Sequence, residues 1–274
     1  MTQANEWDGP VGRSWASEWE RTDRSFAALT PHLLRSIAAL PGDSIVDIGC
    51  GAGEVSLALA DTRAGARVLG IDISADLVAT ATIRAQGRAN CVFALADATS
   101  WEPDRGAPEL YVSRHGVMFF ADPVPAFAHL AEVAADRAGL CFSCFRSPRE
   151  NVWATALSEL IGGGGLAPGD PHAPGPFAFA DRHYVKGLLM AAGWNDVGFA
   201  PVDYRYLAGS GGDPVGDALG FFTRIGPAAR ALRELPEAER APVMARIERF
   251  LAERSAHGEV AFPAAAWIVS ATKA

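Results

Sequence analysis

The stretch Ile45-Val-Asp-Ile-Gly-Cys-Gly-Ala-Gly-Glu54 concentrates residue types that can hold a ligand. An apolar strand pattern runs into Gly49, Gly51 and Gly53 and turns directly into a helical pattern. Glycines at such a turn let backbone come close to a bound molecule, and the helix N-terminus offers free N–H donors. Further along, Asp72 ends a second strand pattern, where a carboxylate can accept both hydroxyls of a ribose. Two departures separate this loop from a dinucleotide site. Glu54 stands where G-x-G-x-x-G requires its third glycine. Asp47, two residues before Gly49, would crowd a pyrophosphate, whereas beside an ammonium its charge is favourable.

Those departures favour S-adenosylmethionine over NAD. Methyl transfer from a sulfonium needs an aligned nucleophile, excluded water and, for some acceptors, removal of one proton; alignment alone lowers a barrier by roughly 7–11 kcal/mol in ideal intramolecular cases. His115 is the candidate base, an imidazole whose ordinary pKa suits a phenol or a carboxylic acid. A histidine that contacts the cofactor or only packs is the alternative. Arg146, at the end of a strand, is the candidate contact for a substrate carboxylate, or else a loop anchor. Trp7, Trp15 and Trp19 form an aromatic lid or one helix face packed on the core. Phe119, Phe120, Phe177, Phe179, Phe221 and Phe222 are expected to supply an apolar substrate chamber and part of the core.

The elements that must position these residues alternate. Strand patterns at 44–48, 67–71, 91–95, 109–113 and 139–145 are separated by helical ones, with Ser74 as an N-cap. This predicts an α/β fold, Rossmann-like and doubly wound, whose mostly parallel seven-stranded sheet carries helices on both faces. After Arg146 the pattern breaks: 147–180 holds Gly162-Gly-Gly-Gly165 and a proline-rich run, reading as a loop or a lid with a glycine hinge. Residues 204–260 read as mostly helical, and 266–270 as a last strand. The division expected is an N-terminal cap segment (1–30), a core (31–146, 181–203 and 264–274) and cap insertions (147–180 and 204–263).

Composition bounds the partners. Asp and Glu number 32 against 24 Lys and Arg, for a net charge of −8. No basic run is present to reward nucleic acid or an anionic membrane. The start lacks the charged and apolar regions of a signal peptide, and no apolar run reaches a membrane span. A cytoplasmic location is the default expectation. Cys141 and Cys144 lie three apart in a strand pattern, on opposite faces, which suits neither a shared metal nor a disulfide. No zinc spacing completes a site, no carboxylate cluster suggests another metal, and all four cysteines read as free thiols. No metal is expected; a homodimer is left open.

In Val46-Asp-Ile-Gly-Cys-Gly-Ala-Gly53, Gly70-Ile-Asp-Ile-Ser74, Ala96-Asp97-Ala98 and Arg114-His-Gly-Val-Met-Phe-Phe-Ala-Asp122 the chain resembles the class I, Rossmann-like methyltransferases of the bacterial small-molecule type. The phrases Gly175-Pro-Phe-Ala-Phe-Ala-Asp181 and Trp267-Ile-Val-Ser270 extend the likeness over most of the chain. The resemblance implies S-adenosyl-L-methionine as cofactor and S-adenosyl-L-homocysteine as product. It places Asp47, Gly49, Gly51 and Gly53 around the methionine part. Asp72 and Ile73 would hold ribose and adenine, with Asp97 and Ala98 at the adenine edge. Ser113 and His115 would floor the sulfonium, and Trp7, Gly9, Gly12 and Trp15 would fold over the cofactor. Related sequences often carry Phe where this one has His115. The implied acceptor is a small molecule methylated on oxygen or nitrogen, hydrophobic or aromatic in view of the cap. A peptide or protein acceptor, or binding of the cofactor without catalysis, are the other readings.

Overall fold

A computed structural model describes residues 7–162 and 170–274. Its sheet is ordered β3-β2-β1-β4-β5-β8-β6, with the two-residue β7 (Ser255–Ala256) added against β8. The strands are β1 (Ser44–Ile48), β2 (Arg67–Asp72), β3 (Cys91–Leu95), β4 (Leu110–Arg114), β5 (Gly139–Phe145), β6 (Trp194–Ser210) and β8 (Glu259–Lys273). Neighbours are parallel from β3 through β5; β8 alone runs antiparallel to both its main partners. The expected fold class holds, with the short β7 as an eighth strand.

Central strands buried on both faces read as continuous apolar runs, and β5 is buried at all seven positions. Cys141 and Cys144 sit within it, and all four cysteines are free and buried. Helices α4 (Glu54–Thr62), α5 (Ala75–Arg84), α6 (Pro123–Val133) and α8 (Arg182–Ala191) are the crossovers. The predicted cap at Ser74 forms, its Oγ accepting from the Leu77 N–H at 3.5 Å. Trp194 is fully buried, its indole N–H donating to the Phe127 carbonyl at 2.9 Å.

Outside the crossovers, α1 (Pro10–Ser17), α2 (Trp19–Phe26) and α3 (Thr30–Ala38) precede the sheet, and α9 (Pro214–Arg224), α10 (Gly226–Glu234) and α11 (Glu237–Ala252) join β6 to β7. The sheet claims more of the C-terminal third than the sequence reading assigned to it. β6 runs on to Ser210 and β8 begins at Glu259, so the proposed boundaries at 203 and 264 fall inside strands. Val202, Tyr204, Tyr206 and Ala208 are buried while Asp203 and Arg205 are exposed, a period of two hidden by its polar members.

The segment 147–180 likewise contains a helix, α7 (Val152–Leu160), with Trp153, Ala154 and Leu157 buried. Asn151, wholly buried, fastens its start: the amide donates to the Ser147 and Ala265 carbonyls and accepts from the Ala265 N–H, each at 3.1 Å. Residues 163–165 of the glycine run, and with them the hinge reading, lie outside the described residues. Among those described, no helix is long and apolar enough to cross a membrane.

Replacing Asn151 by Ala strands the buried Ala265 N–H on β8 and removes two further bonds to carbonyls, so a loss of about 2–3 kcal/mol is expected. Urea unfolding at constant m-value measures it; a change below about 0.5 kcal/mol would show that Asn151 is not the anchor.

Candidate active site

At the carboxyl ends of the parallel strands lies a cavity of about 680 Å³. The loop between β1 and α4 forms one wall. Gly49 has φ 61°, and a Cβ there would come within 2.9 Å of the Gly116 Cα. Gly51 has φ 55°, yet a Cβ there would meet nothing within 4 Å. The first glycine is required by chain packing; the second keeps open a cradle on the cavity wall. Gly53 packs instead against Phe93 and is not on the wall.

Asp47, at the end of β1, is 1 % exposed. Its Oδ2 accepts from Ser56 Oγ at 2.6 Å, while its Oδ1 has no hydrogen-bond partner among the described residues. Burial pushes this carboxyl up from 3.8 to about 7, against the pull of the Ser56 hydroxyl and Arg114. Asp72 is held differently. Its two oxygens accept from the Gly51 and Ser74 N–H groups, both at 2.9 Å, which leaves lone pairs for further donors. Ile73, Asp97 and Ala98 continue the wall, with Asp97 Oδ1 turned back to Thr99 N–H and Oγ1.

His115 follows β4 in a left-handed conformation, φ 63°, which is uncommon off glycine and often marks functional positions. Its ring stacks on Phe145 at 4.1 Å and 10° and lies 4.9 Å from Phe26. Neither ring nitrogen has a partner among the described residues. Burial first, and the adjacent Arg114 second, hold its pKa well below the usual 6.5, so the imidazole is neutral at pH 7. Ser113 does not reach the cavity: its Oγ donates to the Ile48 carbonyl at 2.7 Å and accepts from the Gly116 N–H at 3.1 Å. It positions the loop and does not line the wall.

Arg146 is not brought to the cavity either. Its guanidinium is paired with Glu150 and, at 2.7 Å, with Asp203, over the ring of Trp267. Two carboxylates already balance its charge and it is not on the cavity wall, so its placement does not support a substrate contact.

Trp7, Trp15 and Trp19 all line the cavity. The chain breaks between α1 and α2 at Glu18, so they do not share one helix face. Trp7 meets Trp15 at 5.8 Å and Phe119 at 5.2 Å. Gly12 lets α1 touch the start of α5: a Cβ there would clash with Ser74 Oγ at 2.2 Å. Phe119, Phe120, Phe221 and Phe222 reach the cavity, whereas Phe177 and Phe179 belong to the packing behind it.

Several wall residues were missed in the sequence. Arg114 is paired with Glu54 and Asp23 and donates to Thr30 Oγ1 at 3.0 Å. Asp23 also takes Arg84, whose guanidinium donates to the Ala52 carbonyl at 2.6 Å. This ionic chain ties α2 to the glycine loop, and no local spacing announces it. Phe26, Phe145, Trp153 and Tyr206 complete the aromatic wall.

Residues 45–137 match the model of a methyltransferase domain family. This segment, about a third of the chain, is similar to that methyltransferase domain. Trans-aconitate 2-methyltransferase of Delftia acidovorans is 40% identical over 80 residues, covering 28% of this chain and 29% of that protein. Its namesake in Streptomyces coelicolor is 43% identical over 77 residues, 26% of this chain and 25% of that one. The match thus spans under a third of either relative. The fold extends further: the YcgJ protein of Bacillus subtilis superposes with a TM-score of 0.57 at 16% identity, over 89% of this chain and 97% of that one. Family match and glycine loop agree on S-adenosylmethionine as the cofactor of this methyltransferase domain. The residues present fit it: an unpartnered buried carboxylate oxygen at Asp47 for a cation, and an open cradle at Gly51.

A cation can pair with Asp47 only when the carboxyl is ionised. With its pKa raised to about 7 in the free protein, binding should release a proton near neutrality and weaken as pH falls from 8 to 5, by up to about tenfold per unit. Calorimetric titration with S-adenosylhomocysteine, in two buffers of different ionisation enthalpy, measures this. Asp47→Asn should bind weakly with a flat profile; an unchanged slope would exclude Asp47 as the cation's partner.

Proposed function

We propose that this chain is an S-adenosylmethionine-dependent methyltransferase acting on an oxygen or nitrogen of a small apolar or aromatic molecule. The supporting observation is continuity: the glycine loop and an aromatic chamber are walls of one cavity. When bound, the cofactor supplies an electrophilic methyl group on a sulfonium. Asp47 would hold its ammonium and Asp72 its ribose hydroxyls, with Gly49 and Gly51 beside the methionine part. Ile73, Asp97 and Ala98 would flank the adenine, and Trp15 would cover it.

The chamber lies between Phe26, Phe145, Trp153, Tyr206, Phe221 and Phe222, rings that exclude water and align a flat acceptor. His115 would accept the hydrogen bond of the acceptor's hydroxyl or N–H, and its proton as the new bond forms. Its low basicity suffices, because an oxygen sharing its lone pair with a methyl group becomes strongly acidic. The aromatic walls of α2, α7 and α9 favour this reading over a peptide acceptor, which needs an open groove.

Trans-aconitate, the acceptor in the relatives' names, carries three carboxylates. Among the described residues Arg114 is the one Arg or Lys on this wall, and Asp23 and Glu54 already neutralise it. Unpaired carboxylates in such a site cost several kcal/mol. A tricarboxylate is therefore not the acceptor proposed.

Two measurements test the reading. S-adenosylhomocysteine should bind with micromolar affinity and NADH should not; NADH alone binding would overturn it. Label from methyl-labelled S-adenosylmethionine should pass to neutral phenols or aromatic amines, survive EDTA, and not pass to trans-aconitate. His115→Phe should keep cofactor binding within a few fold and cut turnover about 10²-fold. Unchanged turnover would remove His115 from the chemistry.

A further inference from the structure

The aromatic half of the cavity is apolar except at a few points, and two of them are unpaired. Trp153 is 6 % exposed, and its indole N–H has no hydrogen-bond partner among the described residues. His115 stands with both ring nitrogens free of partners. Both contact one ring: His115 stacks on Phe145 at 4.1 Å, and Trp153 lies 5.4 Å from Phe145, tilted by 56°. Tyr206 stacks flat against Trp153 at 4.7 Å and 5°, which fixes the plane of the indole. All four line the same cavity.

An indole N–H can only donate, and a buried donor without a partner is costly. The chamber therefore calls for an acceptor oxygen at Trp153. A neutral imidazole offers one donor and one acceptor, which calls for a hydroxyl or N–H at His115. Because the His115 and Trp153 rings both contact Phe145, their centroids lie no more than 9.5 Å apart, within the span of a two-ring ligand. The charged groups on this part of the wall, Asp23 and Arg114, are engaged with each other. Thr22 donates to the Glu18 carbonyl and the Tyr206 hydroxyl bonds Ser25, so a fixed charge on the ligand would find no free counterpart.

We propose that the chamber takes an uncharged bicyclic phenol whose hydroxyl meets His115 and whose second ring carries a carbonyl oxygen accepting from the Trp153 N–H. Trp153 is then a specificity-determining residue. The proposal rests on reading the cavity as a methyltransferase site. A site built to donate to an oxygen rejects the analogue that lacks it far more strongly than a purely apolar pocket would.

The test uses the full chain saturated with S-adenosylhomocysteine and three calorimetric probes: 6-hydroxy-1-tetralone, its ketone-free analogue 5,6,7,8-tetrahydro-2-naphthol, and the carboxylate 6-hydroxy-2-naphthoate. The tetralone should bind about fivefold or more tightly than the ketone-free phenol and about tenfold or more tightly than the carboxylate. Trp153→Phe, which keeps a ring but loses the N–H, should weaken the tetralone about tenfold and leave the ketone-free phenol within about twofold. Equal weakening of both phenols would make Trp153 a packing residue, and no weakening would make it a bystander; either overturns the assignment. Tighter binding of the carboxylate, or binding of no probe, overturns the ligand class. Wild-type discrimination between the two phenols stands whether or not the variant folds. Failure to bind S-adenosylhomocysteine itself would sink the methyltransferase reading; normal binding of it without probe discrimination would sink only this proposal.

Discussion

The close approach of two loop glycines governs the geometry of the site. At the carboxyl ends of β1 and β4 the chain passes itself so tightly that a Cβ on Gly49 would sit 2.9 Å from Gly116 Cα, and one on Gly116 would sit 2.6 Å from the Ile48 carbonyl oxygen. Ser113 Oγ bridges the same crossing by bonding both Ile48 and Gly116. From this contact follow the left-handed turn at His115 and the direction of the glycine loop. A branched residue at either glycine would part β1 from β4 where Asp47 and His115 must converge. The floor is thus set by main chain, and the side chains above it inherit their positions.

The cap is attached by different forces. α2 is held through Asp23 to Arg84 and Arg114, and Arg114 reaches Glu54 at the head of α4. Glu18, 3 % exposed, takes Arg21 and Arg224, and Asp217 takes Arg21 and Arg24. Charge-assisted bonds of this kind fix orientation as much as they stabilise, because each half-buried partner is costly to strand. The tryptophans of α1 and α2 therefore face the cavity without needing a deep core of their own. Gly12 against Ser74 brings this cap onto the strand-two side of the site, next to Asp72.

Local chemistry was legible, and long-range assembly was not. The glycine loop, Asp47, Asp72, Ser74 and the five parallel strands announce themselves by spacing within a few residues. Asp23, Phe26 and Tyr206 share a wall only because β6 returns across the sheet beside α2, and nothing near them in sequence says so. Arg146 misled for the reverse reason. A strand-end arginine is well placed in general, but Glu150 and Asp203, the latter a distant strand residue, had claimed its charge. Tyr204 and Tyr206 were hidden by Asp203 and Arg205, whose exposure on an outer strand resembles the polar face of a helix.

For the base role proposed for His115, its weak basicity and the apolar chamber would impose the same order of events. Ionising an acceptor in advance would place an anion among Phe26, Phe145 and Phe222 with no free cation to meet it, at a cost of several kcal/mol. A neutral acceptor avoids that cost, and its proton becomes acidic only as the new bond forms. A strong base would itself become charged beside Arg114, two adjacent cations in a low-dielectric site. In the proposed reaction, the environment that keeps His115 neutral would also select late proton transfer, so that one feature of the packing would set both the acceptor's charge and the timing of its deprotonation.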